Sequence, residues 1–162
     1  MNKEHQVLII AKNTSGIGTR ILALFSRRGF NVSKMTSGVT NKPGYARLTL
    51  TVDADDTSLD QIQKQIYKII DVVKVKVLPE SDVVCRELML IKVKATATTR
   101  SQIVQIADVF RGNVLDISPN SMIIEVIGSV EKLRGFADIM ETYGILEMAK
   151  TGITAMSRGE KI

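Results

Sequence analysis

Apolar positions along the chain switch repeatedly between a two-residue and a three-to-four-residue period, and the switches mark the elements. Residues 5–11 are a β-branched apolar run that stops at the turn formers Lys12-Asn13-Thr14-Ser15-Gly16, which predicts a strand and then a tight loop. Ile17, Ile21, Leu24 and Phe25 follow at helical spacing and Gly29 is placed to end them, so a helix is expected over about 17–28. Two strands are predicted over 30–39 and 45–53, joined by Thr40-Asn41-Lys42-Pro43-Gly44, a hairpin loop by composition. Asp55 offers an N-cap to a second helical stripe, Leu59, Ile62, Ile66 and Ile69, and Val72–Leu78 alternates valine with lysine as a half-buried strand does.

After a linker-like Pro79-Glu80-Ser81-Asp82 the same order returns. Strands are predicted over 88–94, 114–117, 122–127 and 145–151, and helices on the stripes Ile103, Ile106, Ala107, Phe110 and Leu133, Phe136, Ala137, Met140. The expected fold class is α+β: two ferredoxin-like βαββαβ domains in tandem, over 1–79 and 83–162, each with four antiparallel strands and both helices on one face. One face of each sheet is then uncovered, and pairing with another chain is the expected remedy.

Composition narrows the chemistry. The chain has 162 residues, 44% hydrophobic and 24% charged, enough apolar surface for a packed core. No run reaches the roughly 18 apolar residues of a membrane span, and a cytoplasmic protein without membrane contact is expected. One cysteine, Cys85, and one histidine, His5, give no ground for a metal site or a catalytic pair, and no catalytic residue is assigned. The net charge of +5 is uneven: residues 1–79 hold 12 basic against 6 acidic side chains, residues 80–162 hold 10 against 11. Nucleic-acid binding would want aromatic residues on an open sheet face, but with no Trp, three Tyr and four Phe, no strand interleaves aromatics with cations. A nucleotide loop is equally unsupported, because Ser15-Gly16-Ile17-Gly18-Thr19-Arg20 lacks its lysine.

The informative stretch is Asn13 to Gly18, at the mouth of the first helix. Unpaired amides there carry partial positive charge, and Gly16 permits close approach of a small carboxylate. Asn13, with Asn31 at the head of the next strand, offers amide oxygens to an ammonium group, so a zwitterionic amino acid satisfies both ends. The competing reading is structural: Ser15 or Asn13 is an N-cap and Gly16 a turn residue.

With these residues in place the chain resembles the small, regulatory subunits of acetolactate synthase, whose N-terminal half is an ACT domain. The resemblance rests on Asn13-Thr14-Ser15-Gly16, on residues 24–32 (Leu24-Phe25-Ser26-Arg27-Arg28-Gly29-Phe30-Asn31-Val32), on Arg86-Glu87-Leu88-Met89-Leu90-Ile91-Lys92-Val93, and on Phe110-Arg111-Gly112, residues 114–119, Thr151-Gly152 and Ser157-Arg158-Gly159. It implies a homodimer through the ACT domain, valine as effector, and association with a large catalytic subunit. That partner would carry thiamine diphosphate, FAD and magnesium, and condense pyruvate with a 2-oxo acid in branched-chain amino-acid synthesis; this chain would carry no cofactor. By motif position the effector residues are Asn13, Ser15, Gly16 and Ile17, with Asn31 and Val32 as the opposing wall and Gly38 beside them. Lys12, Gly18-Thr19 and Ser33-Lys34-Met35 depart from the family pattern. A stand-alone ACT-type sensor and a small RNA-binding protein are the alternative functions.

Overall fold

A computed structural model describes residues 3–79 and 82–159; Glu80 and Ser81 of the expected linker lie outside them. The residues fall into two compact units, one of the chain up to Val84 together with Ile153 onward, the other Cys85–Gly152.

The first unit contains β1 (Lys3–Lys12), α1 (Ile17–Arg27), β2 (Asn31–Val39), β3 (Tyr45–Ala54), α2 (Asp56–Ile66) and β4 (Val72–Leu78). Its antiparallel sheet has the order β2-β3-β1-β4. Val7, Ile9 and Ala11 of β1 and Leu48, Leu50 and Val52 of β3 point to the helix side, where Ile17, Ile21 and Phe25 of α1 and Leu59, Ile62 and Ile66 of α2 close the core. Each of the larger side chains, the valines, leucines, isoleucines and Phe25, contributes about 1.5–3 kcal/mol when fully withdrawn from water, which is what decides which stripe of each helix faces the sheet.

Helix ends follow local chemistry. At the C-terminus of α1, Gly29 takes φ +73°. The amide of Phe30 then donates to the Phe25 carbonyl at 3.0 Å and that of Gly29 to Ser26 at 3.1 Å. The two phenyl rings meet edge to face, 6.5 Å between centroids. These are the paired bonds and apolar contact of a Schellman cap, and they explain why Phe25, Gly29 and Phe30 recur as one motif. Asp55 caps α2 by accepting from the Ser58 amide at 2.8 Å. The Ile69 stripe predicts a longer α2, but Tyr67 leaves the helix because its hydroxyl donates to the Val75 carbonyl and accepts from the Val75 amide, both at 3.1 Å. The following bonds tighten to three-residue turns, and Ile69 still packs on the core.

The second unit repeats the plan with β5 (Val83–Lys94), α3 (Arg100–Val109), β6 (Asn113–Ser118), β7 (Ser121–Gly128), α4 (Val130–Glu141) and β8 (Ile145–Lys150) in the order β6-β7-β5-β8. Met89, Ile91 and Val93 of β5 face Ile103, Ala107, Leu133, Phe136 and Met140. On the opposite face Leu90 and Ile127 are exposed, so this sheet has the uncovered side that the pattern predicts.

The first sheet does not. Residues alternating with its core, Leu8, Thr49, Thr51 and Leu78, are also buried, Thr49 and Thr51 to 3% and 1% exposure. A ninth strand unforeseen in the sequence, β9 (Thr154–Ser157), belongs to this unit. The Arg47 guanidinium donates to the Ala155 carbonyl, Lys76 Nζ to Ser157 Oγ at 3.0 Å, and Ile153 and Ala155 are buried. The run Ile153-Thr154-Ala155-Met156 is too short to announce a strand by periodicity, which is why the pattern ends the second half with β8.

Candidate functional site

The loop between β1 and α1 is built by backbone bonds that leave its side chains outward. Lys12 donates its amide to Asp71, Asn13 to Gly44 and Thr14 to Lys12, each at 2.8 Å, and Ile17 to Thr14 at 3.2 Å. Gly16 ends the loop with φ +76°, the left-handed conformation that only glycine adopts without strain, and a Cβ built there meets nothing within 4 Å. Gly16 itself is the residue preceding α1, no side chain caps the helix, and its first turn holds no acid. The structural reading of Ser15 or Asn13 as an N-cap is therefore set aside. What remains is an exposed helix mouth whose leading amides carry partial positive charge, flanked by the exposed Asn13 and Ser15.

The expected site residues separate into two groups. Gly38 pairs with Arg47 near the end of the sheet where Lys12 pairs with Tyr45, so it shares that end with Asn13, Ser15, Gly16 and Ile17. Ile17 contributes backbone only, since its side chain lies in the core. Asn31 and Val32 pair with Asp53 and Val52 at the far end of β2. At about 3.3 Å per residue Asn31 is roughly 23 Å along the strand from Gly38. Asn31 is exposed and Val32 packs on the core edge.

Sequence reasoning missed Thr14, Arg20 and Asp71. The Arg20 guanidinium donates to Asp71 Oδ2 at 2.5 Å and to Thr14 Oγ1 at 2.9 Å, and the Thr14 hydroxyl donates to Asp71 Oδ2 at 3.1 Å. The bonds from Arg20, then from Thr14, hold the Asp71 carboxyl below its ordinary pKa, against a smaller opposing effect of burial. No linear signal joins Asp71 to Thr14, because only the return of β4 alongside β1 brings them together.

Among the described residues no three His, Cys, Asp or Glu side chains cluster to hold a metal, and no helix is long and apolar enough to cross a membrane. The lone Cys85 thiol is pushed up by burial.

Two βαββαβ units with an exposed glycine-led helix mouth in the first define an ACT-type α+β protein, and the comparisons agree. The family model described as AHAS small subunit-like ACT domain matches residues 7–74, and the one described as small subunit of acetolactate synthase matches residues 86–159. The chain is 42% identical over 158 residues to the probable acetolactate synthase small subunit of Methanothermobacter thermautotrophicus, covering 97% of this chain and 94% of that one. It is 41% identical over 157 residues to the acetolactate synthase small subunit of Mycolicibacterium smegmatis, covering 97% and 92%. The crystal structure of the small subunit of acetolactate synthase from Thermotoga maritima superposes with a TM-score of 0.92 at 37% identity, over 98% of this chain and 99% of that chain. This chain belongs to the acetolactate synthase small-subunit family.

Proposed function

We propose that the chain binds the large catalytic subunit of acetolactate synthase in the cytoplasm, stimulates it, and relays valine binding as feedback inhibition, contributing no catalytic group itself. The observation that carries the effector reading is the uncapped helix mouth behind Gly16, open and with no acidic residue in its first turn, with Gly38 at the same end of the sheet. A valine carboxylate docks on the first amides of α1. Its ammonium is met by Asn13 and by Asn31, and because Asn31 stands at the far end of β2, the Asn31 in question comes from a second copy of the chain. The effector site is thus shared across a homodimer.

A mixing experiment tests this. Gly16→Asp and Asn31→Ala are each made, titrated with valine alone, then mixed and allowed to exchange subunits. A shared site predicts that the mixed dimers regain one intact site per dimer and a part of the valine response; a site within one chain predicts no recovery. Co-purification with a thiamine-diphosphate-dependent partner tests the subunit role, and its absence would favour a stand-alone sensor.

A further inference from the structure

We infer that Thr14, Arg20 and Asp71 form a closed ring of hydrogen bonds that holds the helix-mouth loop in its ligand-ready shape, making them positioning residues for the effector site; this rests on the reading just given. Each member comes from a different element: Thr14 from the loop, Arg20 from the second turn of α1, Asp71 from the turn before β4. All three sides of the triangle are bonded, at 2.5, 2.9 and 3.1 Å. Thr14 is also the backbone hub of the loop, its amide donating to Lys12 and its carbonyl accepting from Ile17, while the Asp71 carbonyl accepts from the Lys12 amide. Thr14 and Asp71 are therefore held both by the ring and by backbone bonds. Gly16, which in isolation has the widest choice of backbone conformation, is fixed between Thr14 and the helix.

The ring also decides where ligand charge goes. Arg20 is half-exposed at 48% of its side chain, and Asp71 retains 17%. With its guanidinium committed to Asp71, Arg20 does not compete with the helix amides for a carboxylate, and Asp71 does not leave an unpaired negative charge beside the mouth. Pre-ordering of a loop is a direct contribution to affinity, since the cost of ordering is not met again on binding.

The test uses the full chain with Asp71→Asn, Thr14→Val and the double variant, with Gly16→Asp in parallel. Amide hydrogen exchange of residues 13–19 is measured without effector, valine affinity by calorimetry, and maximal stimulation with the catalytic subunit. The ring predicts faster exchange confined to the loop and first turn, a valine Kd at least about fivefold weaker, and unchanged maximal stimulation. Because the members act together, the double variant should be scarcely worse than Asp71→Asn alone. Arg20→Lys, which keeps the charge, should restore part of the affinity that Arg20→Met loses. Unchanged exchange overturns the proposal, and so does faster exchange with an unaltered Kd. If Gly16→Asp abolishes valine binding while Asp71→Asn does not weaken it, the effector site stands and the ring falls. If Gly16→Asp binds valine normally, the effector site falls, and the exchange data alone decide whether the ring orders the loop.

Discussion

Gly16→Asp is the most informative single change, because the structure separates its cost to the fold from its cost to the ligand. The new Cβ meets no atom within 4 Å, so there is no clash. A non-glycine residue at φ +76° costs about 1–2 kcal/mol, and an acid at a helix N-terminus returns about 0.3–1 kcal/mol. The net loss is about 1 kcal/mol, a fall in Tm of roughly 2–4 °C. The ligand loses more. A carboxylate held about 4 Å from the valine carboxylate is repelled by about 1 kcal/mol in full solvent and about 4 kcal/mol near a protein surface, so affinity falls between roughly fivefold and roughly a thousandfold. Gly16→Asn is the matched control, sharing the backbone strain without the charge. Calorimetric titration of both variants, and valine titration of each reconstituted with the catalytic subunit, should show the aspartate variant weaker than the asparagine variant by at least fivefold. If the two bind valine within twofold of each other, the effector carboxylate does not sit at this helix end and the electrostatic argument fails.

Four further outcomes are expected. Gly18 lies inside α1 without positive φ, and a Cβ there meets Met35 and Leu48 only at 4.0 Å, so Gly18→Ala should stabilise by about 0.5–1 kcal/mol in denaturant unfolding. Arg111 is the single non-glycine residue with positive φ among those described, at 51°, in a helix cap where Gly112 donates to Ala107 at 2.7 Å; Arg111→Gly should raise stability by about 0.5–1 kcal/mol. By contrast Gly112→Ala should lower it by about 1–3 kcal/mol, because its Cβ would stand 3.0 Å from the Glu125 carbonyl and the Val126 side chain. Bonds from the Ser58 amide and hydroxyl hold the Asp55 carboxyl below its ordinary value of 3.8, so its stabilising contribution is complete above that value and is lost as pH falls through the lowered one; a melting series from pH 7 to 3 should fall less steeply for Asp55→Asn.

Much of this architecture is legible because each helix and most strands announce themselves locally. The stripe Ile17, Ile21, Phe25 and the run Met89, Ile91, Val93 each fix an element and the face it buries. Gly29 and Asp55 are readable as caps because capping is a neighbour effect. The loop at Asn13–Gly16 is readable for the same reason. What stays hidden depends on distant partners: Asp71 finds Thr14 only through sheet pairing, and Arg47 and Lys76 find the Ala155 carbonyl and the Ser157 hydroxyl only once the end of the chain returns to the first unit. Tyr67 likewise ends α2 through a bond to β4 that no helical period encodes.

The return of Ile153–Ser157 to the first unit sets an order on how the chain is made. During synthesis Arg47 and Lys76 emerge early, yet the segment bearing Ala155 and Ser157 follows only after residues 85–152. At about 5–20 residues per second that is a delay on the order of several seconds, during which the second unit has time to fold first. The nascent first unit must therefore wait with Arg47 and Lys76 short of these partners, a stretch of its life when a holdase chaperone or a premature encounter between nascent chains would act on it.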